Sequence, residues 1–400
     1  MSGLKGSSHQ IEAVDNLERT FSHKLCILVG CNKTDNMKKT LTLCCLALFS
    51  CYSVKAQEEL TPAEKAYKDS IAGLNELNAS IAESQEAYNM GIQKFSNKDY
   101  TGALKDFSKS ISVDPNFTAA YYNKAVAENE LEKFNDATNT LTKLLEIDPD
   151  YSKAYFQRGR SFQGLNDYFN SEKDYEKSIQ IDPNNPKAYY NYATLKFLQQ
   201  DYTGAIANFS KTIDLDEDFV FAYNDRGSCY RMLEQYPKAI VEYETALRKN
   251  PKLIFILNNL GTTKKKSKDY VGAIAAFNRA ISIDDKYYLA YNNRGATLLE
   301  QGKIDDAERD FIKALSIKSD YSPANCNLSA VYFKKKDYTK AFQYADKAVK
   351  VDQKYANAYI NRGMALEMLR DQNGACEDWY KAKELGSTIG KQYYAGNCND

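Results

Sequence analysis

The sequence predicts an all-α fold, a solenoid of repeated helix-turn-helix units. Two observations support this prediction. A small residue recurs every 34 positions with no slip in register: Gly91, Ala125, Gly159, Ala193, Gly227, Gly261, Gly295, Ser329 and Gly363. A second small residue follows each of these after twelve positions, from Ala103 to Ala375. A fixed period of this length indicates stacked units that share a continuous core.

Residues 288–321 show how one unit is built, and its positions are numbered 1 to 34. Apolar or small residues occupy positions 4, 8 and 11, then 20, 24, 27 and 28, and both sets have helical spacing. Gln301-Gly302-Lys303 interrupt the pattern and predict a turn. The small residues at positions 8 and 20 allow the two helices to approach closely, and an aromatic residue at position 24 fills the space below them in most units.

Nine such units are predicted over residues 84–389. Their boundaries are 84–117, 118–151, 152–185, 186–219, 220–253, 254–287, 288–321, 322–355 and 356–389. Residues 57–83 are predicted to form an N-terminal capping helix or linker, because apolar residues follow Thr61-Pro62 at helical spacing. Residues 390–400 are predicted to form the opposite cap, in which Tyr393 and Tyr394 cover exposed core.

The first 56 residues resemble processing segments. A basic start at Met37 and the apolar run 41–49 predict a signal peptide over residues 37–56, with cleavage between Ala56 and Gln57. Residues 1–36 are then a non-native upstream extension, and the alternative is a genuine cytoplasmic N-terminal segment that starts at Met1. A second alternative is a bacterial lipoprotein signal ending at Cys51, which would attach the chain to a membrane through a lipid.

Export would leave four cysteines in a compartment where disulfides persist. Cys376 lies in the second helix of the last unit and Cys398 lies in the short tail behind it, so a bridge between them would clip the tail onto the array. The alternative is two free thiols. Cys229 and Cys326 are expected to be small buried hydrophobic residues.

Composition excludes several classes of function. The chain has 53 basic and 53 acidic residues, and this balance argues against a nucleic-acid binder. Both histidines, His9 and His23, precede the repeats, which therefore have no imidazole for acid-base chemistry or metal ligation. The sequence has no glycine-rich phosphate loop and no nucleophile-base pair. We therefore expect no enzyme activity, no cofactor, no metal and no small-molecule substrate.

The repeat pattern resembles the tetratricopeptide repeat, whose consensus has an aromatic residue, Gly or Ala, Ala, an aromatic residue, Ala and Pro at positions 4, 8, 20, 24, 27 and 32. The resemblance covers about three quarters of the chain. It implies a right-handed superhelix in which the first helices line a concave groove that binds partner proteins. Helical geometry places positions 2, 5, 6, 9, 12 and 13 on that side of the first helix.

Positions 5 and 6 are the predicted peptide-binding residues of the groove. The amide side chains at position 6 are expected to pair with a peptide backbone, and the alternative is that they satisfy local backbone. Position 5 predicts an aromatic N-terminal half that grips apolar or proline-containing side chains and an amide-rich middle, and the alternative is packing between helices. The candidate residues are Tyr88, Asn89, Tyr122, Asn123, Phe156, Tyr190, Asn191, Asn224, Asn258, Asn259, Asn292, Asn293, Asn327 and Asn361.

Arginine recurs at position 7 of every second unit, as Arg158, Arg226, Arg294 and Arg362. Its angle on the helix lies beside the core, which favours stem packing with an exposed head group over ligand recognition. Position 5 never carries Lys and position 6 never carries Arg, so the clamp with which some members of the family hold a chaperone's C-terminal carboxylate is disfavoured.

The sequence thus favours an exported, non-enzymatic scaffold that binds a peptide segment or helix of partner proteins in the bacterial envelope, either periplasmic or associated with the outer membrane. The alternative is a cytoplasmic adaptor or regulator, if Met1 is the true start. A remote alternative is a carbohydrate-active envelope protein that uses groove carboxylates, of which position 6 offers only Asp225.

Overall fold

The structure is a computed structural model, and it describes residues 61–398. The predicted upstream extension 1–36, the signal peptide 37–56, its cleavage site at Ala56 and Gln57, and the lipidation site at Cys51 lie outside the described residues. They stay predictions.

Residues 61–398 are helical with short turns and contain no strand. No helix in this part is both long and apolar enough to cross a membrane. Its nineteen helices are α1 Pro62–Ser96, α2 Tyr100–Val113, α3 Thr118–Glu130, α4 Phe134–Ile147, α5 Ser152–Gly164, α6 Tyr168–Ile181, α7 Pro186–Leu198, α8 Tyr202–Leu215, α9 Val220–Met232, α10 Tyr236–Lys249, α11 Ile254–Lys266, α12 Tyr270–Ile283, α13 Tyr288–Glu300, α14 Ile304–Ile317, α15 Ser322–Lys334, α16 Tyr338–Val351, α17 Ala356–Met368, α18 Gln372–Glu384 and α19 Thr388–Asn397.

The helices confirm the predicted all-α solenoid. From α3 to α18 every predicted unit is one pair of helices, and each helix packs on the helix before it and the helix after it. Close approach within a pair depends on the small residue at position 8. A Cβ atom added to Gly261 in α11 would lie 2.5 Å from the ring of Phe277 in α12, so this helix has no room there for a side chain.

The turn inside each unit places one residue in the left-handed region. Position 15 has a positive φ in all nine units, but only Gly302 is a glycine; Lys268, with φ of 66°, is one of the other eight. A side chain at such a φ costs about 1 kcal/mol. Aspartate at position 16 then caps the N-terminus of the second helix in six units. An example is Asp269, whose carboxylate accepts from the backbone N–H of Gly272 at 2.8 Å.

We expect Lys268→Gly to raise the free energy of unfolding by about 0.5–1 kcal/mol, because glycine removes the backbone strain at this φ. The matched control is Gly302→Ala at the same position of the next unit. A Cβ atom there meets nothing within 4 Å, so the expected loss of about 1 kcal/mol is purely conformational. Urea unfolding measures both. Changes of the opposite sign would contradict the conformational account.

The head groups of the arginines at position 7 form ion pairs, whereas the sequence predicted that they would be exposed. Arg294 donates through Nε to Asp310 Oδ2 at 2.8 Å and through a second nitrogen to Asp310 Oδ1 at 2.6 Å. Its remaining nitrogen donates to Asn278 of the preceding unit at 2.6 Å. The equivalent pairs are Arg158–Asp174, Arg226–Glu242 and Arg362–Asp378. Position 23 supplies the carboxylate each time, so the head group locks the two helices together, and the arginine side chains are only 17–23% exposed.

The N-terminal segment joins the first unit without a break. The helix α1 continues across the predicted boundary at residue 84, so cap and first helix are not separate elements. Contacts divide the chain into two parts, residues 1–77 and residues 78–400, and the repeats lie in the second part. In the first part every described residue is exposed, including Tyr67, Ile71 and Leu74. The capping role of residues 57–83 stays a prediction.

The C-terminal end is closed by α19, which takes the place that the first helix of a tenth unit would occupy. It packs on both α17 and α18. Tyr393 stacks on the fully buried Trp379 with ring centroids 5.2 Å apart, and Tyr394 meets Tyr380 edge-on. Cys376 and Cys398 are joined by a disulfide across the same contact. The structure thus pairs the two cysteines that the sequence singled out.

Candidate interaction surface

The first helices form one continuous layer. Each first helix from α3 to α17 contacts the first helix of the next unit, whereas no two successive second helices among residues 61–398 are in contact. Positions 2, 6, 9 and 13 of a first helix share one side, pointing away from the second helices. We call the surface formed by these four positions of successive first helices the first-helix face.

The amides predicted at position 6 bind mainly to protein atoms of the neighbouring unit. Six of the nine position 6 residues donate through their side-chain nitrogen to position 5 of the unit before, and we call this series the inter-repeat ladder. Its links are Asn123 to Tyr88 Oη at 2.9 Å, Gln157 to Tyr122 Oη at 3.4 Å, Asn259 to Asn224 at 3.1 Å, Asn293 to Asn258 at 2.8 Å, Asn327 to Asn292 at 2.9 Å and Asn361 to the Cys326 carbonyl at 3.0 Å.

This ladder corrects the expectation that positions 5 and 6 are open to a peptide backbone. An amide side chain offers two N–H groups and one oxygen, and each link uses a donor of one unit and an acceptor of the next. Asn224 and Asn292 are only 6% and 5% exposed. These side chains therefore hold adjacent first helices in register, and only the unused donors and acceptors of position 6 are left for a ligand.

The aromatic residues at position 5 are also committed to packing. Tyr88 lies with its ring centroid 4.9 Å from Phe117, Tyr122 lies 5.7 Å from Tyr151, and Tyr190 lies 4.8 Å from Phe219. In each case the partner is the residue at position 34 of the same unit. The predicted aromatic half of the groove is thus mostly a set of rings that seal the junction to the next unit, which is the packing alternative.

Three candidate residues stand outside the ladder, namely Phe156, Asn191 and Asn89. Phe156 has no hydroxyl group, and Asn191, which follows it one unit later, donates instead to the carbonyl of Lys187 at 2.9 Å. Asn89 in the first unit accepts from Gln85 at 3.0 Å, one turn earlier on the same helix. The ladder therefore has a gap between α5 and α7.

The ladder reverses its direction at Asp225, the one acidic residue at position 6. A carboxylate can only accept, so Tyr190 donates its hydroxyl to Asp225 Oδ2 at 2.6 Å. From the other side Asn259 donates to Asn224, and Asn224 donates to Asp225 Oδ1 at 2.8 Å. Two series of hydrogen bonds thus end on this carboxylate. Burial raises the pKa of Asp225, against the smaller opposing effect of these two donors.

A raised pKa means that the folded chain binds a proton at Asp225 more tightly than the unfolded chain does. The ionised carboxylate therefore destabilises the fold above its folded pKa, and this cost disappears as the pH falls through that value. We expect Asp225→Asn to raise the free energy of unfolding at neutral pH and to lose this advantage in acid. Urea unfolding at both pH values measures the difference. A loss of stability at neutral pH would contradict the prediction.

Position 2 carries surface features that the sequence reasoning placed on this side but did not pursue. Phe221 is 49% exposed, and its ring stacks on Phe255 of the next unit with centroids 6.1 Å apart and planes 4° apart. Leu289 and Pro323 continue the row as partly exposed residues. A comparison of position 2 across the units, like that made for position 5, would have found this row. We call these four residues the apolar row.

Two concavities open on the layer of first helices. One, of about 280 Å³, lies between α7, α9 and α11 and is lined by Thr194, Phe197, Asp225, Ser228 and Arg231 among others. The other, of about 470 Å³, lies between α15 and α17 and is mainly apolar, with Phe333, Tyr338 and Met364 in its wall. The described residues contain no group of acidic, cysteine or histidine side chains that could hold a metal ion.

The repeats match known protein families. Models of the tetratricopeptide repeat match residues 118–151, 152–185, 174–207, 220–253, 256–287, 288–321 and 322–355, which together are more than half of the chain. No curated protein matches the sequence significantly.

Several solved structures are similar to this chain. A tetratricopeptide repeat protein from Parabacteroides merdae is 19% identical with a TM-score of 0.55, covering 62% of this chain and 99% of that one. The C-terminal part of a repeat protein from Cytophaga hutchinsonii is 18% identical, with a TM-score of 0.49 and coverage of 60% and 98%. Yeast Tom70 is 14% identical, with a TM-score of 0.43 and coverage of 78% and 94%. This chain belongs to the tetratricopeptide repeat family.

Proposed function

We propose that the protein is a non-enzymatic scaffold that binds an extended segment of a partner protein along its first-helix face. The repeats make the chain a protein–protein interaction scaffold. The apolar row is the observation that supports this site most strongly. It lies on the face that no second helix covers, and it begins with two stacked phenylalanine rings, of which Phe221 is 49% exposed and Phe255 is half-buried.

Exposed apolar side chains that form a continuous row mark interaction sites more often than isolated ones do. Phenylalanine is enriched at the buried centres of interfaces. Burial of a phenylalanine side chain contributes about 1.5–3 kcal/mol, so partial burial of both rings supplies part of the roughly 8 kcal/mol that micromolar binding requires, and backbone contacts supply the rest.

The spacing of the row suits an extended segment rather than a helix. Alternate side chains on one face of an extended chain are about 6.6–6.8 Å apart. The rings of Phe221 and Phe255 are 6.1 Å apart, which is close to the spacing of two alternate side chains of such a segment. The free oxygen atoms of position 6 amides, for example in Asn259, lie on the same face and suit its backbone N–H groups.

We place this scaffold in the bacterial envelope, where it would assemble or maintain envelope complexes, because residues 37–56 have the pattern of a signal peptide. Mass spectrometry of the mature N-terminus tests this. A chain that starts at Gln57 supports export, and a lipidated Cys51 supports membrane attachment. A chain that starts at Met1 would favour the cytoplasmic adaptor instead.

The binding proposal is tested by selecting random short peptides on the purified full chain. We expect the wild type to retain a set of related peptides. A variant with Phe221→Ser and Phe255→Ser should bind these peptides at least tenfold more weakly, which is a loss of at least about 1.4 kcal/mol of binding free energy. The matched control carries Val241→Ser and Val271→Ser, which change apolar residues of the second helices that are 59% and 78% exposed. Equal losses in both variants, or no selected peptide, would overturn the proposal.

A further inference from the structure

Asp225 is a carboxylate without a counter-ion. Among residues 61–398, no Lys or Arg nitrogen lies within ion-pair distance of it. Its neighbour Arg226 points to the other side of α9, where it pairs with Glu242 at 2.9 Å. The two groups that contact the carboxylate, Tyr190 and Asn224, are neutral donors. Neutral donors hold a charge in place but do not balance it.

A partly buried charge of this kind is costly unless a cation approaches it. Six other units are linked to the preceding unit by an uncharged asparagine or glutamine, which donates where Asp225 accepts. A link between units therefore does not require an acidic residue. What distinguishes this position is its place in the wall of the 280 Å³ concavity between α7, α9 and α11.

The concavity offers a long basic side chain an apolar wall and a carboxylate, and Arg231 is the one cation in its lining. Phe197 and Thr194 of α7 provide an apolar and a hydroxyl wall for an aliphatic stem, and Asp225 provides the acceptor for its charged end. Arg231 lies in the same lining, and its Nε–H group is buried without an acceptor. That donor suits a carbonyl oxygen of the segment that carries the basic side chain.

We propose that this concavity is a specificity pocket that receives one lysine or arginine side chain of the bound segment, with Asp225 as its counter-ion. The inference rests on the proposed binding of a segment along the first-helix face and adds the chemistry of the partner to it. The apolar row begins at Phe221, one helical turn before Asp225 on α9. A fitting segment thus carries a basic residue close to apolar residues.

The peptides selected on the wild-type chain test this inference by their composition. We expect Lys or Arg at one fixed position, and we expect a selection on Asp225→Asn to lose that preference while it keeps the apolar positions. Asparagine retains an oxygen for the Tyr190 hydroxyl, so the variant removes the charge and one further hydrogen bond, the one from Asn224. The control is Asp285→Asn, an exposed carboxylate in the turn after α12, for which the preference is expected to stay.

Affinities of one selected arginine peptide and of the same peptide with citrulline complete the test. Citrulline has nearly the shape of arginine without its charge. We expect Asp225→Asn to weaken the arginine peptide at least tenfold and to leave the citrulline peptide unchanged. Related peptides without a basic preference, or equal weakening of both peptides, would overturn the specificity pocket and leave the scaffold proposal standing. Failure to select any peptide would overturn both.

Discussion

Arg294→Ala is expected to lower the free energy of unfolding by about 3 kcal/mol, one of the two largest effects in this molecule. The side chain of Asp310 is only 8% exposed, and both of its oxygen atoms accept from Arg294. Removing the guanidinium leaves a buried carboxylate without a partner and also breaks the link to Asn278 of the preceding unit. Urea unfolding followed by far-ultraviolet circular dichroism measures the loss.

Two further variants separate the buried charge from a general effect of losing an arginine. Arg309→Ala removes an arginine whose pair with Asp306 is on the surface, and the expected loss is below about 0.5 kcal/mol. Arg294→Met combined with Asp310→Leu removes both charges and is expected to recover most of the stability. A similar loss in Arg294→Ala and Arg309→Ala would show that the pair does not lock the helices.

Opening the disulfide between Cys376 and Cys398 is expected to destabilise the C-terminal end by about 3 kcal/mol, since the bridge closes a loop of 22 residues. The cap that it holds covers Trp379, which is fully buried and is the only tryptophan of the chain. Tryptophan fluorescence therefore reports on this end alone. In Cys398→Ser the emission should shift to the red at a lower urea concentration than in the wild type, while the signal from the other repeats changes little.

A reducing agent supplies the matched control for this prediction. It should lower the fluorescence midpoint of the wild type to that of Cys398→Ser and should leave the variant unchanged. Cys229 and Cys326 are buried free thiols, so they offer the reductant no bond to break. A wild-type midpoint that ignores the reductant would contradict the stabilising role of the bridge.

The repeat architecture could be predicted almost completely from the sequence. A strict period with small residues at positions 8 and 20 has one structural solution, because only helices packed at close distance need both. The helix pairs from α3 to α18 match the predicted units, and the turn at position 15 falls where Gly302 indicated it.

The chemistry of single side chains could be predicted less well. Helical geometry placed Asn259 on the correct side of its helix, but it says nothing about the neighbouring helix, whose Asn224 takes up the donor. The same limit applies to Arg294, because its partner Asp310 lies sixteen residues away on another helix. Contacts between units depend on the angle at which units stack, and the pattern within one unit does not contain that angle.

The most direct test of the central claim is photo-crosslinking of a selected peptide to the intact chain. The crosslinking amino acid p-benzoylphenylalanine is placed once at Phe255, on the first-helix face, and once at Val271, on a second helix where the side chain is 78% exposed. We expect a peptide adduct at Phe255 and none at Val271. An adduct at Val271 with none at Phe255 would show that the partner binds the opposite side of the repeats and would overturn binding along the first-helix face.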